Sequence, residues 1–375
     1  MLTALDEARL AQALAEAEHA IGLSEPNPRV GCVIGRANGT VLGTGFTQAP
    51  GQAHAEVMAL RDAARQGQDV QGATAWVTLE PCAHHGRTPP CCDALISAGI
   101  RRVVVAVEDP FHHVAGQGLA RMRAAGITVD LAEGSLRDAA LDLNVGFFSR
   151  QLRGRPWVRL KTASSLDGRT ALPDGSSQWI TGPAARDDGH RWRRRASMVL
   201  TGIGTVLADN PQMTVRAVPT ARQPLRGVLD SHLRTPPTAR CLAGGGTVLF
   251  AAEGVDTPGH ALTRQGAEIV RLSVATDGLD LGALIDELSR RQVNELHVEA
   301  GARLTGAWLR SGWVDEWVAY VAPALLVAGA PIAQMPPPAT LSLAPRFKLQ
   351  DLTRVDGDAR LRLQSSTSSP DTWWR

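Results

Sequence analysis

The strongest constraint on the fold is a regular alternation of short apolar segments with amphipathic ones, run twice along the chain. Residues 5–21 put Leu10, Leu14, Ala17 and Ile21 on one helical face. Residues 30–34 (VGCVI) read as a buried strand, with 41–46 as its hairpin partner through Asn38-Gly39. A helix over 54–65, a strand over 73–79 and a helix over 90–98 follow. Next come a valine-rich strand over 102–107, a helix over 117–125 and a short strand over 127–131. Elements that alternate this way pack as α/β layers. The pattern breaks at 150–156 (RQLRGRP), which is polar and holds a Gly and a Pro. It resumes at Trp157, with strands over 158–162, 198–201, 227–229, 248–251, 269–272, 296–299 and 314–321. The accompanying helices span 183–195, 279–291 and 302–311, the first opening on Pro183, where a missing N–H costs least. At about 150 residues per domain, two or three domains are expected.

Composition excludes several classes. Hydrophobic residues are 44% and charged residues 20%, ordinary for a globular protein and wrong for a disordered chain. No stretch is long and apolar enough to span a membrane. The first twenty residues lack a basic start and an apolar block, so no secretory signal is expected there, and the cytoplasm is the expected location. The net charge of +2 gives no basic tail for nucleic acid. The densest basic run, Arg191 to Arg195 around Trp192, lies inside an expected helix. Five cysteines, an odd number, argue against a disulfide framework, and three of them (Cys82, Cys91, Cys92) fall within eleven residues.

That cluster carries the first chemistry. His54-Ala55-Glu56, Pro81-Cys82 and Cys91 offer one imidazole and two thiolates. Three ligands leave a fourth tetrahedral position open, which is the layout of a catalytic zinc site. Zinc brings the pKa of its water near neutrality, and a carboxylate such as Glu56 can pass a proton to a leaving amine. Other readings of these residues exist: Cys91 and Cys92 as a core pair, or His84 and His85 as additional ligands of a structural zinc. Cys32 sits in an apolar strand and reads as a small buried hydrophobe. Cys241 falls in an expected loop with no partner motif. Asn27 precedes Pro28, a common turn position.

The second half lacks Gly-x-Gly-x-x-Gly after a strand. It has two other strand-to-helix turns with glycine, 200–205 (LTGIGT) and 298–307 (VEAGARLTGA). Such turns present free N–H groups to an anion, so two of them could hold the phosphates of a nucleotide. Glu299 ends an apolar strand, where a carboxylate is unusual. Lys161, one of only two lysines, also ends a strand.

His-x-Glu followed by Pro-Cys and a further cysteine matches the signature of zinc nucleobase deaminases. Here eight residues, rather than two, separate Cys82 from Cys91. The run 78–91 (TLEPCAHHGRTPPC) resembles the deaminase half of the RibD family of riboflavin biosynthesis. Segments 160–169 (LKTASSLDGR) and 177–181 (SQWIT), with both glycine turns, resemble that family's reductase half. The resemblance covers both halves in order, through at least Pro323. It implies a cytidine-deaminase-like three-layer α/β/α domain over 1–150 and a dihydrofolate-reductase-like α/β domain over 155–375. It implies zinc on His54, Cys82 and Cys91 (not Cys92), with Glu56 as the proton shuttle and Asn27 touching substrate. His84 and His85 then favour substrate contact.

In the reductase half the resemblance implies NADPH contacts from Ala163, Trp179, Thr205, Asp209 and Ser231. The turn Gly301, Ala302, Arg303, Leu304, Thr305, Gly306 and Ala307 joins them. Ser177, Arg193, Met213, Arg216 and Glu299 would contact the pyrimidine ribotide; Lys161, a rare lysine at a strand end, reads on its own as a polar contact near the ribose. An arginine fork suits the ribotide's phosphate. The implied enzyme deaminates 2,5-diamino-6-(5-phosphoribosylamino)pyrimidin-4-one, then reduces its ribosyl group to ribityl. The partners expected are this small molecule and further copies of the chain, without nucleic acid or membrane. A zinc deaminase of tRNA or free nucleosides would explain the first 150 residues only. A structural zinc beside a nucleotide-sensing module would predict no turnover.

Overall fold

A computed structural model describes residues 2–83, 90–110, 116–255, 260–276 and 278–366. His84, His85 and the tail beyond residue 366 lie outside these residues. The chain divides into two compact units, Met1–Gly154 and Arg155–Arg375.

The first unit runs α1 (Ala4–Glu18), β1 (Gly31–Gly35), β2 (Val41–Phe46), α2 (Ala55–Arg65), β3 (Thr74–Val77) and α3 (Cys91–Ser97). It continues with β4 (Arg102–Val105), α4 (Gln117–Ala124), β5 (Thr128–Leu131), α5 (Ser135–Leu143) and α6 (Val145–Arg153). The sheet order is β2-β1-β3-β4-β5, with β1 antiparallel to both neighbours and β3, β4 and β5 parallel. Helix α1 starts in a capping box between Thr3 and Asp6. Asp6 is buried, accepting from Trp76 Nε1 at 2.9 Å and Arg102 Nη1 at 2.6 Å, which ties α1 to β3 and β4. Glycines set the helices close to the sheet. A Cβ at Gly31 would lie 1.9 Å from Ala13 O of α1, and one at Gly45 would lie 2.4 Å from Ala59 N of α2. Helices α1 and α2 thus press on opposite faces, giving the three layers expected.

The second unit runs β6 (Trp157–Ser165), β7 (Arg169–Ala171), α7 (Pro183–Arg195), β8 (Met198–Gly202), α8 (Ile203–Asp209), β9 (Leu225–Leu229) and β10 (Thr247–Ala252). Next come α9 (His260–Arg264), β11 (Ala267–Leu272), β12 (Val274–Ala275), β13 (Gly278–Leu279), α10 (Leu281–Arg290), β14 (Glu295–Glu299) and α11 (Ala302–Ser311). The last elements are β15 (Glu316–Ala322), β16 (Ala330–Pro331), β17 (Phe347–Val355) and β18 (Asp358–Ser365). The main sheet is ordered β11-β10-β9-β8-β14-β6-β15-β18-β17, parallel from β11 to β15 and antiparallel beyond.

Strand alternation feeds two apolar cores. Met198 and Leu200 of β8 join Leu284, Leu288 and Trp308 of α10 and α11. Val199 between them joins Met213, Val228 and Cys241. Cys241, expected in a loop, is instead fully buried in a short 3-10 turn. On β6, Val158 and Leu160 enter the apolar core, while Arg159 and Lys161 point the other way. Arg159 is 0% exposed and bonds Glu295 at 2.5 Å and Glu316 at 2.8 Å, with the Trp192 ring of α7 over its guanidinium. The β17–β18 hairpin was not among the strands expected from sequence.

Candidate active sites

In the first unit, His54 is the N-cap of α2, Cys82 follows the end of β3, and Cys91 opens α3. Cys82 and Cys91, 28 and 37 residues along the chain from His54, thereby meet it. His54 Nδ1 lies 3.1 Å from Cys91 Sγ and 3.6 Å from Cys82 Sγ, and all three ligand atoms lie within 4.8 Å of one another. Zinc–sulfur and zinc–nitrogen bonds of about 2.3 and 2.0 Å demand ligand separations of this size, so the donor set fits zinc. Glu56, in the first turn of α2, is 3% exposed.

The electrostatics agree. Among the protein groups alone, the hydrogen bond from Cys91 holds the Cys82 thiol down to about 4, helped by His54 and opposed by burial. Cys91 is pushed far up by the same bond. Burial, then the charge on Cys82, raises Glu56 to about 7. Burial beside Glu56 keeps the Cys32 thiol well above its ordinary value, the inert hydrophobe expected. Cys92 is buried next door, but its N–H bonds Cys82 O at 3.2 Å, and its thiol is not in the triad. Asn27 closes a turn by donating its N–H to Ser24 O at 2.8 Å.

Sequence reading passed over Glu80, two residues before Cys82. It is 3% exposed and accepts four backbone N–H bonds, from Asp109, Gly116, Gly118 and Leu119. The signal used for Glu299, a carboxylate ending an apolar strand, was present here too.

In the second unit the expected residues gather at the C-terminal ends of parallel strands, where ligands bind in α/β sheets. Strands β8, β14 and β6 are neighbours, and Glu299 of β14 stands opposite Lys161 of β6. The two glycine turns converge: a Cβ on Gly301 would lie 3.8 Å from Thr205 Oγ1. Gly301 is the N-cap of α11, so Ala302, Arg303 and Leu304 occupy its first turn. Thr305 is buried and donates to Ala300 O at 3.1 Å, and Gly306 packs so tightly that a Cβ would meet Gln334 O at 2.0 Å. Ala307 lies one turn further along. Asp209 ends α8, and Ser231 follows β9, accepting at its carbonyl from Ala252 N at 3.1 Å. The C-terminal strand ends thus offer a turn-rich edge that suits a dinucleotide phosphate.

Arg193 has protein partners of its own. Its fork already grips Glu299, with Nε and Nη2 each 2.6 Å from a carboxylate oxygen, and Nη1 bonds Thr214 O at 3.1 Å. Burial raises the Glu299 carboxyl, yet Arg193, His297 and Lys161 outweigh it and hold it well below the usual range. His297, fully buried, lies 3.2 Å from Glu299, and burial lowers its pKa. Burial and Arg193 lower that of Lys161, whose ammonium stands 5.5 Å from the Tyr320 ring centre. Met213 is 2% exposed, so its side chain belongs to the core, and its φ of 58° turns the chain toward Thr214. Arg216 is exposed, its N–H 3.3 Å from His190 Nδ1. Ala163 packs on Tyr320. Trp179 is 68% exposed under Arg186, and Ser177 is half-buried two residues before it. No side-chain hydrogen bond joins Ser177 or Trp179 to the Arg193 cluster among the described residues.

A family model of the cytidine and deoxycytidylate deaminase zinc-binding region matches residues 3–107, and the RibD C-terminal domain model matches residues 156–361. The riboflavin biosynthesis protein RibD of Escherichia coli K12 is 43% identical over 374 residues, 96% of this chain and 99% of that one. The chain belongs to the RibD family. RibD of Acinetobacter baumannii, in its form 1 structure, has a TM-score of 0.85 at 42% identity over 96% of this chain and 98% of that one. A Thermotoga maritima structure has a TM-score of 0.84 at 31% identity, covering 96% and 99%. It is described as a diaminohydroxyphosphoribosylaminopyrimidine deaminase and 5-amino-6-(5-phosphoribosylamino)uracil reductase. The chain is accordingly a bifunctional deaminase and reductase of riboflavin biosynthesis, with zinc serving the first activity and NADPH the second.

Proposed function

We propose that residues 1–150 form the deaminase, that residues 155–375 form the reductase, and that the substrate is 2,5-diamino-6-(5-phosphoribosylamino)pyrimidin-4-one. The observation that supports the first half is the convergence of His54, Cys82 and Cys91 beside a buried carboxylate. Zinc, when bound there, lowers the pKa of water to near neutrality. Glu56 accepts a proton from the water that adds to the pyrimidine carbon bearing the 2-amino group. It then delivers that proton to the departing nitrogen, so ammonia leaves, and the added oxygen becomes a carbonyl as its remaining proton passes to the ring nitrogen. Asn27 contacts the pyrimidine. His54 at the N-cap and Cys91 at the start of α3 are fixed by their helices before any ligand arrives.

The reductase needs positioning more than a strong acid or base. NADPH supplies the hydride. The turn Gly301 to Ala307 and Thr205 hold its phosphates, with Ala163, Trp179, Asp209 and Ser231 along its length. Glu299 and Lys161 contact the ribose, and Arg193 fixes Glu299. Arg216, with Ser177 and the turn at Met213, completes the ribotide site. The chain works as a homo-oligomer assembled through the second unit. The support is a set of exposed apolar side chains there, Leu341 (84%), Leu343 (68%) and Leu352 (62%). No helix of the described residues is long and apolar enough to cross a membrane. No disulfide joins the five cysteines.

Product mass spectrometry with the diaminopyrimidine ribotide, zinc and NADPH tests this reading. A product that exchanges an amino group for oxygen and gains two hydrogens is expected. Unchanged substrate on zinc-loaded protein would overturn the substrate assignment. Deamination alone would overturn the roles given to Glu299, Lys161 and Arg216.

A further inference from the structure

Glu80 is a buried carboxylate of the first unit that the chemistry above leaves unused and that bonds only to backbone N–H groups. Its Oε2 accepts from Asp109 N at 3.1 Å and Gly116 N at 2.9 Å. Its Oε1 accepts from Gly118 N at 2.9 Å and Leu119 N at 3.3 Å. Gly116 is the N-cap of α4, and Gly118 and Leu119 lie in its first turn. A carboxylate there satisfies helix donors that have no partner of their own. The same turn presses on the next residue, since a Cβ on Gly118 would lie 2.0 Å from Pro81 O. Upstream, Gly31 N donates to Thr78 Oγ1 at 3.0 Å, and Glu80 N donates to Val107 O at 3.0 Å. The chain that leaves β3 is therefore gripped at 78, 80 and 81, and the next side chain is the Cys82 thiol.

We propose that Glu80 is a positioning residue for the metal centre: its four backbone bonds to the start of α4 and to Asp109 fix the segment that presents Cys82 to His54 and Cys91. The inference rests on the zinc reading of that triad. Outer partners that orient ligands typically tune metal affinity by about 10–100-fold. Glu80→Gln is nearly the same size, but its amide nitrogen would face two N–H donors that now meet an acceptor. Glu80→Asp keeps both acceptor oxygens on a shorter arm. Gly118→Ala keeps the Glu80 side chain but crowds the same contact from the helix side, its Cβ 2.0 Å from Pro81 O and 3.1 Å from Glu80 Oε1.

The test uses the full chain, with zinc alone competed against a chromophoric chelator and with cobalt(II) in its place. Reductase turnover on deaminated ribotide reports the second unit. For Glu80→Gln, zinc should bind about ten-fold or more weakly, and the cobalt–thiolate absorption should change. Deaminase kcat at saturating zinc should fall with KM little moved, and reductase turnover should hold. Glu80→Asp should recover part of the zinc affinity. Zinc affinity within about two-fold of wild type, with an unchanged cobalt spectrum, would overturn the proposal. If Glu80→Gln does not fold, Gly118→Ala decides, and wild-type zinc affinity in that variant overturns it. A wild-type chain that binds no zinc would instead sink the reading of the triad itself.

Discussion

The two units build their sites in opposite ways. On the reading proposed above, the first concentrates its chemistry in four side chains, the half-buried His54 and the buried Glu56, Cys82 and Cys91, each at or near a helix start or strand end. On the same reading, the second spreads its site along the ends of β6, β8, β9 and β14, which are neighbours in the sheet, and gives most positions to turns and backbone. Its one dense cluster, Arg193, Glu299, His297 and Lys161, is a paired charge network rather than a nucleophile with a base. The difference follows from the reactions. Hydrolysis needs a proton moved and a water activated, so a few groups carry it. Hydride transfer needs two ligands held in line, so many weak contacts carry it.

The sharpest way to break this contrast is Glu56→Gln. Loss of a general acid–base group costs about 100–10,000-fold, so ammonia release should nearly vanish while zinc content and NADPH oxidation hold. Comparable loss of both activities would show that the sites are not separate. Next is Glu299→Gln, which leaves the Arg193 fork half-satisfied in a buried place. A charge-assisted bond is worth about 1.5–3 kcal/mol, so the reductase kcat/KM should fall about 10–100-fold with ammonia release unchanged.

Buried charge in the second unit gives a pH prediction. Burial raises the Glu316 carboxyl, but Arg159 and Arg362 overcome it and hold it at about 2. A depressed folded pKa stabilises above the unfolded value and is lost as pH falls through the folded one. The second unit should therefore lose stability between about pH 4.5 and pH 2, on the order of 3 kcal/mol from this group. Acid titration followed by tryptophan fluorescence should show a shallower loss in Glu316→Gln, already less stable at pH 7 by about 3–5 kcal/mol. The smallest effect is expected for Cys92→Ser. Zinc content and ammonia release should stay within about two-fold, with about 1 kcal/mol lost in a thermal melt. Loss of zinc there would move the ligand from Cys91 to Cys92.

The same contrast decides what could be read from sequence. Zinc draws its ligands from a short set of residue types, chiefly His, Cys and carboxylates, and here three of them meet from helix and loop positions close in sequence, so the triad was legible from residue types and spacing. The α/β alternation was legible for a similar reason, because strands buried on both faces are runs of Val, Ile and Leu. The Arg193–Glu299 pair was not, since its members are 106 residues apart and only the packing of α7 on β14 joins them. The resemblance implies a substrate contact for each residue, but the bond between them comes from the fold. The burial of Met213 was not legible either, since its apolar side chain meets Val199 and Val228, which lie elsewhere in the sequence. The β17–β18 hairpin escaped because exposed and half-buried residues alternate along β17 without a clean apolar face. Glu80 escaped because its partners are backbone groups, and no residue type advertises a backbone N–H.

The most direct test of two independent sites is to strip zinc from the full chain and assay both half-reactions. Ammonia release from the diaminopyrimidine ribotide should fall to background and return when zinc is restored. NADPH oxidation with already deaminated ribotide should continue throughout. Deamination that survives without zinc, or reduction that disappears with it, would contradict the account.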